Sequence, residues 1–152
     1  MSDPFTHAEN TAHEWLAAVG ARLGTSDDGY AYRMLRAWLH TVRDRLTAED
    51  AAHFAAQLPV LLRGLFYEDW HPAFVPTRYG VLGFVARFAG SADTTRAEVP
   101  VAAVAVTTAL HTLCRLDGIL KLLPGEVAEL ISTETQNRKV SHQVADARGR
   151  FP

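Results

Sequence analysis

One cysteine, Cys114, stands among 152 residues. A single thiol cannot close an internal disulfide, so nothing in the chain asks for an oxidising compartment. Lysine is nearly missing too, with two residues against thirteen arginines, a bias that could reflect a preference for basic patches but that GC-rich codon usage would impose without a functional cause. Neither sign of charge dominates: the formal net charge of -2 predicts no general attraction to nucleic acid and no strongly acidic surface. A nucleic-acid partner would need a local basic patch. The uncharged run from Val99 to His111 is too short to cross a bilayer and contains threonines, so no membrane span is expected. Met1-Ser2-Asp3-Pro4 shows no basic region leading into an apolar run, which predicts no signal peptide and a cytoplasmic location.

Motifs that commit a chain to a chemistry are also missing. No serine occupies a Gly-x-Ser-x-Gly elbow, and there is no His-Glu-x-x-His or paired-cysteine zinc spacing. Cys114 lies beside Leu113 and Leu116 in an apolar stretch, where it acts as a small hydrophobe. No segment alternates at period two, so strands are not expected, and neither is a strand-to-helix loop that cradles phosphates. The sequence nominates no catalytic residue and no cofactor.

What is present is helical periodicity. The composition, 48% hydrophobic and 21% charged, is globular, and the length suits one domain over residues 1–132. Thr6 and Glu9 form a capping box, and Ala8, Ala12, Trp15, Val19 and Leu23 follow at helical spacing until Gly24. Ser26 is placed to cap a second helix with the stripe Ala31, Leu35, Trp38, Leu39, Val42 and Leu46. Thr47 caps a third helix. Pro59 ends it and starts a fourth, which is predicted to run to about Trp70. Two prolines in His71–Pro76 break the chain, and a helix resumes from Arg78 to Gly90. Ser91–Glu98 is a polar connection. Val101–Leu116 is apolar all round and predicts a central buried helix, and Pro124-Gly125 opens a last short one. The expectation is all-α, a bundle of about six or seven helices. Residues 133–152 read as a polar tail or docking arm, with Val140, Val144, Ala147 and Phe151 still at i, i+4, i+7, i+11 spacing.

Leu39-His40-Thr41-Val42 is echoed by Leu110-His111-Thr112-Leu113, and Leu58-Pro59 by Leu123-Pro124. This order suggests two degenerate helix–helix–Pro–helix copies, about 27–72 and 78–132. The runs Arg33–Leu46, Ala51–Pro59 and Leu61–Trp70 resemble the bacterial DUF2267 family, most specifically across residues 30–72 and more faintly over 78–131. The resemblance implies an all-helical repeat fold and a bacterial origin. It implies no chemistry, since the family has no assigned function.

Three constellations carry functional readings. Asp50-x-x-His53 and Glu68-x-x-His71 each place a carboxylate and an imidazole on one helical face, the pattern of a metal-dependent enzyme. A partially helix-ending Pro72 and the lack of an inward glutamate on an apolar helix weigh against it. Arg33, Arg36, His40 and Arg43 share a face of the second helix and form a candidate anion-binding stripe for nucleic acid, weighed against a solvated face paired with Asp44 or Glu49. Finally, Phe66, Tyr67 and Trp70 cannot share one helical face, because neighbouring residues diverge by about 100°. At least one aromatic is therefore expected at the surface, making Tyr67, Trp70, His71 and Phe74 a candidate interaction corner. The favoured expectation is a non-enzymatic helical module that contacts a protein partner or a second copy. Nucleic acid and metal stand as the alternatives.

Overall fold

The computed structural model describes residues 3–132, and the expected tail or arm over 133–152 lies outside the described residues. The described chain folds into eight α-helices and no strands: α1 (Pro4–Leu23), α2 (Asp28–Arg45), α3 (Ala48–Ala55), α4 (Val60–Tyr67), α5 (Val81–Ala92), α6 (Val99–Leu113), α7 (Asp117–Leu120) and α8 (Gly125–Ser132). The fold is all-α. The helix beyond the six or seven expected is the single turn α7, too short to show periodicity. Short 3-10 turns occupy Pro72–Phe74 and Arg96–Glu98.

Several helix starts differ from the sequence expectation. The first helix begins two residues before Thr6: Asp3 Oδ1 accepts from Phe5 N–H, and Pro4, which has no amide to satisfy, takes the first helical position. Asp27 caps α2 in place of Ser26, accepting from Tyr30 N–H. Thr47 caps α3 as its sequence context suggests, accepting from Asp50 N–H. Gly24 closes α1 in the left-handed region at φ 69°, where a side chain would be strained.

Buried apolar side chains from Trp15 to Ile131 form one cluster. The long helices α2 and α6 run through it. α2 is flanked by α1, α4, α5 and α6, and α6 by α1, α2, α5 and α8. Where α2 and α6 meet, the Trp38 indole N–H donates to Thr107 Oγ at 2.9 Å, and the Thr107 hydroxyl donates to Ala103 O, so both buried polar groups are satisfied. Packing follows a paired pattern: α1 lies on α6 as α5 lies on α2, and α4 lies on α1 and α2 as α8 lies on α5 and α6. α6 is buried along most of its length, although Val101 is exposed. α2 is the more enclosed of the two than its sequence suggests. Its apolar stripe is buried, and so are His40, Thr41 and Arg43 on the face that reads as polar.

Candidate functional site: an apolar groove beside a clamped helix end

The arginine stripe is placed where helix ends need donors. An α-helix leaves its last four carbonyls without intrahelical partners, and α4 ends against the flank of α2. There Arg43 Nη1 donates to Phe66 O at 2.9 Å and to Glu68 O at 2.7 Å, and its Nε donates to Asp44 Oδ1 at 2.9 Å. His40 Nε2 lies 2.7 Å from Leu65 O. A carbonyl only accepts, so Nε2 carries the proton of a neutral ring. Burial is the main cause that pushes the His40 pKa down; the carbonyl contact opposes this, and the Arg43 and Arg36 charges reinforce it.

Arg36 clasps Glu68 Oε1 through Nε at 2.9 Å and Nη2 at 2.7 Å, with Asp69 3.6 Å away. That hydrogen bond is the main reason the Glu68 carboxyl titrates below its ordinary range. Arg33 Nε donates to Ala92 O at the end of α5. Arg63, which the sequence did not single out, serves α3 in the same way, through Ala55 O and Leu58 O. Arg43 is buried and its donors are directed at groups of this chain, Arg36 is paired with Glu68, and Arg33, which is exposed, gives its Nε to the end of α5. The pairing with Glu49 considered for this stripe does not occur among the ion pairs of the described residues, and the partners that do occur are Asp44, Glu68 and Asp69.

The same clamp stops α4 at Tyr67, three residues short of the expected end at Trp70. Glu68 leaves helical geometry and Asp69 takes φ 56°. Glu68 and His71 consequently do not share a helical face. Among the described residues no three His, Cys, Asp or Glu side chains converge as metal ligands. Asp50 and His53 line a separate hollow between α3 and α7.

The aromatic corner divides. A chain of ring contacts runs outward from the core, with Phe54–Phe66 at 5.5 Å, Phe66–Tyr67 at 5.3 Å and Tyr67–Trp70 at 5.1 Å between centroids. Tyr67 and Trp70 are half-buried on this stack. The Trp70 indole N–H is enclosed and finds no acceptor among the described residues. His71 and Phe74 pack edge to face at 6.2 Å, and Phe74 stands 78% exposed. The segment beyond is tied to the end of α2: Thr77 N–H donates to Asp44 O, and the buried Tyr79 hydroxyl to Thr41 O.

On the other side of Glu68 lies a feature that sequence spacing did not reveal. Helices α1, α2 and α4 diverge around a groove of about 400 Å³. Its floor is Ala12 and Leu16 from α1, Leu35 from α2, and Leu62 and Leu65 from α4. Tyr32 and Leu61, both substantially exposed, form its lip, and Glu9, His13 and Glu68 add polar groups at its margin. On α1, Phe5 continues the line of Ala12 and Leu16 at helical spacing and is 84% exposed. Apolar side chains clustered in a concave surface are uncommon on a protein that meets only water.

Fold and groove together define an all-α protein with a preformed apolar cleft and no cluster of metal-ligating side chains among the described residues. The model of the family described as "Uncharacterized conserved protein (DUF2267)" matches residues 12–130, and the chain belongs to that family. The match begins within α1, so most of this helix is part of the family's unit, although the motifs that suggested the family start only at residue 30. No curated protein matches the chain. No described helix is long and apolar enough to cross a membrane.

Proposed function

We propose that the protein is a non-enzymatic helical interaction module, acting in a bacterial cytoplasm, whose docking surface is the groove between α1, α2 and α4. The observation that carries this reading is the groove itself: a cleft of about 400 Å³ with an apolar floor and the exposed Leu61 and Tyr32 along its edges. Such a cleft suits the apolar face of a helix laid along it. The corner of Tyr67, Trp70, His71 and Phe74 lies outside the groove lining; its exposed His71 and Phe74 would offer a second, smaller contact surface beyond the end of α4.

We also read the chain as two degenerate four-helix units, α1–α4 and α5–α8, forming one domain. The paired packing of α1 on α6 with α5 on α2, and of α4 with α8, supports this reading.

Light scattering combined with affinity capture tests the docking surface. The intact chain should recover a discrete protein partner or a second copy. Leu61→Glu, which places a carboxylate on the lip without disturbing the core, should lose it. Equal recovery by both forms would remove the groove from the mechanism. Phe74→Ala should weaken capture less than Leu61→Glu, since Phe74 does not line the groove.

A further inference from the structure

We propose that residues 140–151 of this same chain occupy the groove, in competition with an external partner; the proposal rests on the groove being a docking surface. Twenty residues follow α8, and their apolar residues are arranged to fit a cleft of this kind. Val140, Val144, Ala147 and Phe151 fall on one helical stripe. As a helix the stripe would be roughly 17 Å long. On α1 the groove lining runs from Glu9 to Leu16, and Phe5, one turn earlier, extends that wall to the same length, eleven residue steps in each case. The most exposed side chain of that wall is Phe5, and an apolar helix laid against α1 would remove it from water.

Charge favours the same occupant. Residues 133–152 hold four of the fifteen basic residues, Arg138, Lys139, Arg148 and Arg150, but only two of the seventeen acids, Glu134 and Asp146. The remainder of the chain is left with eleven bases and fifteen acids, so the segment is cationic and the body it would dock on is anionic. Arg138 and Lys139 precede the apolar stripe and Arg148 and Arg150 lie in its last turn, while the groove margin offers the carboxylate of Glu9, that of Glu68 being already held by Arg36. Reach is adequate as well. Residues 133–139 extend to about 24 Å, more than the roughly 14 Å radius of gyration of a domain this size.

Disulfide trapping in the full chain tests this. Leu61→Cys with Val144→Cys places one thiol on the groove lip and one in the middle of the stripe. The control pairs Val144→Cys with Leu82→Cys, a position on α5 that is 85% exposed and lies outside the groove lining. The natural Cys114 interferes little, because burial pushes its thiol up to about 11 and leaves almost no thiolate near neutral pH.

If the stripe dwells in the groove, the Leu61 pair closes within one chain at least about tenfold faster than the Leu82 pair, because docking raises the local thiol concentration. Adding Phe151→Asp should bring it down to the control rate. Equal rates for the two pairs would overturn the proposal, and so would a Leu61 product that links two chains, which would assign the groove to a second copy. Loss of the intramolecular bond while Leu61→Glu still abolishes partner capture would sink only the self-docking. Loss of both would sink the groove reading as well.

Discussion

Arg43 and His40 sit three residues apart on α2, and between them they meet the carbonyls of Leu65, Phe66 and Glu68. Removing either leaves helix-end acceptors enclosed without a donor. Arg43→Met keeps most of the volume and removes every donor. It should destabilise the fold by about 2–4 kcal/mol, seen as a lower urea midpoint at unchanged slope. An unaltered midpoint would show that the Arg43 contacts contribute nothing net. His40 makes stability depend on pH. Its folded pKa is depressed below the unfolded value near 6.5, chiefly by burial, so the unfolded state binds the proton more readily. His40's contribution is therefore intact above about 6.5 and is lost as pH falls from there toward the depressed folded value. His40→Gln retains a donor for Leu65 O but cannot titrate. Between pH 7.5 and 5, melting temperature should fall more steeply for the native chain than for this variant, and parallel curves would contradict the assignment.

At the scale of elements, helix placement was legible because a 3.6-residue period is a local property of sequence. The stripe from Ala31 to Leu46 on α2 is buried as its spacing implies. Helix ends were less legible, since they depend on donors far away in the chain. α4 stops at Tyr67 because side chains more than twenty residues earlier take its last carbonyls, and no window around Trp70 contains that information. The distant partners of the arginine face were hidden for the same reason: alternation of charge along α2 reads as solvated until α4 and α5 present their ends to it. The groove was not legible at all. Leu61 and Leu62 are chemically alike, and only the placement of α4 against α1 and α2 leaves one at the lip and the other in the floor. One helix end carries strain that can be relieved. Asp93 closes α5 at φ 53°, its N–H donating to Ala89 O. Asp93→Gly should stabilise the fold by about 0.5–1 kcal/mol, because glycine adopts this geometry without a Cβ penalty. Destabilisation would mean that the Asp93 side chain has a role its backbone does not explain.

For the molecule as a whole, most of the large side chains among the described residues lie in one core, and Arg36 and Arg43 of the polar stripe join α2 to the end of α4 while Arg33 gives one donor to α5. Of the exposed apolar side chains among the described residues, Tyr32 and Leu61 line a cleft with a leucine-rich floor, whereas Leu82 and Val101 stand elsewhere. Interfaces concentrate binding energy in a few such apolar anchors at a concave centre, with polar groups at the margin. The pattern here, Leu61 and Tyr32 over a leucine-rich floor with Glu9 and Glu68 beside them, has that form. The account stands or falls on whether this face is in contact with something in the cell. A photo-crosslinking amino acid introduced at Leu61, with Leu82 as the exposed position elsewhere, addresses that contact directly. After irradiation of living cells, mass spectrometry should find a discrete adduct at position 61, whether with a partner, a second copy or residues 140–151, and none at 82. The same diffuse background at both positions would contradict the claim that the groove is a docking surface.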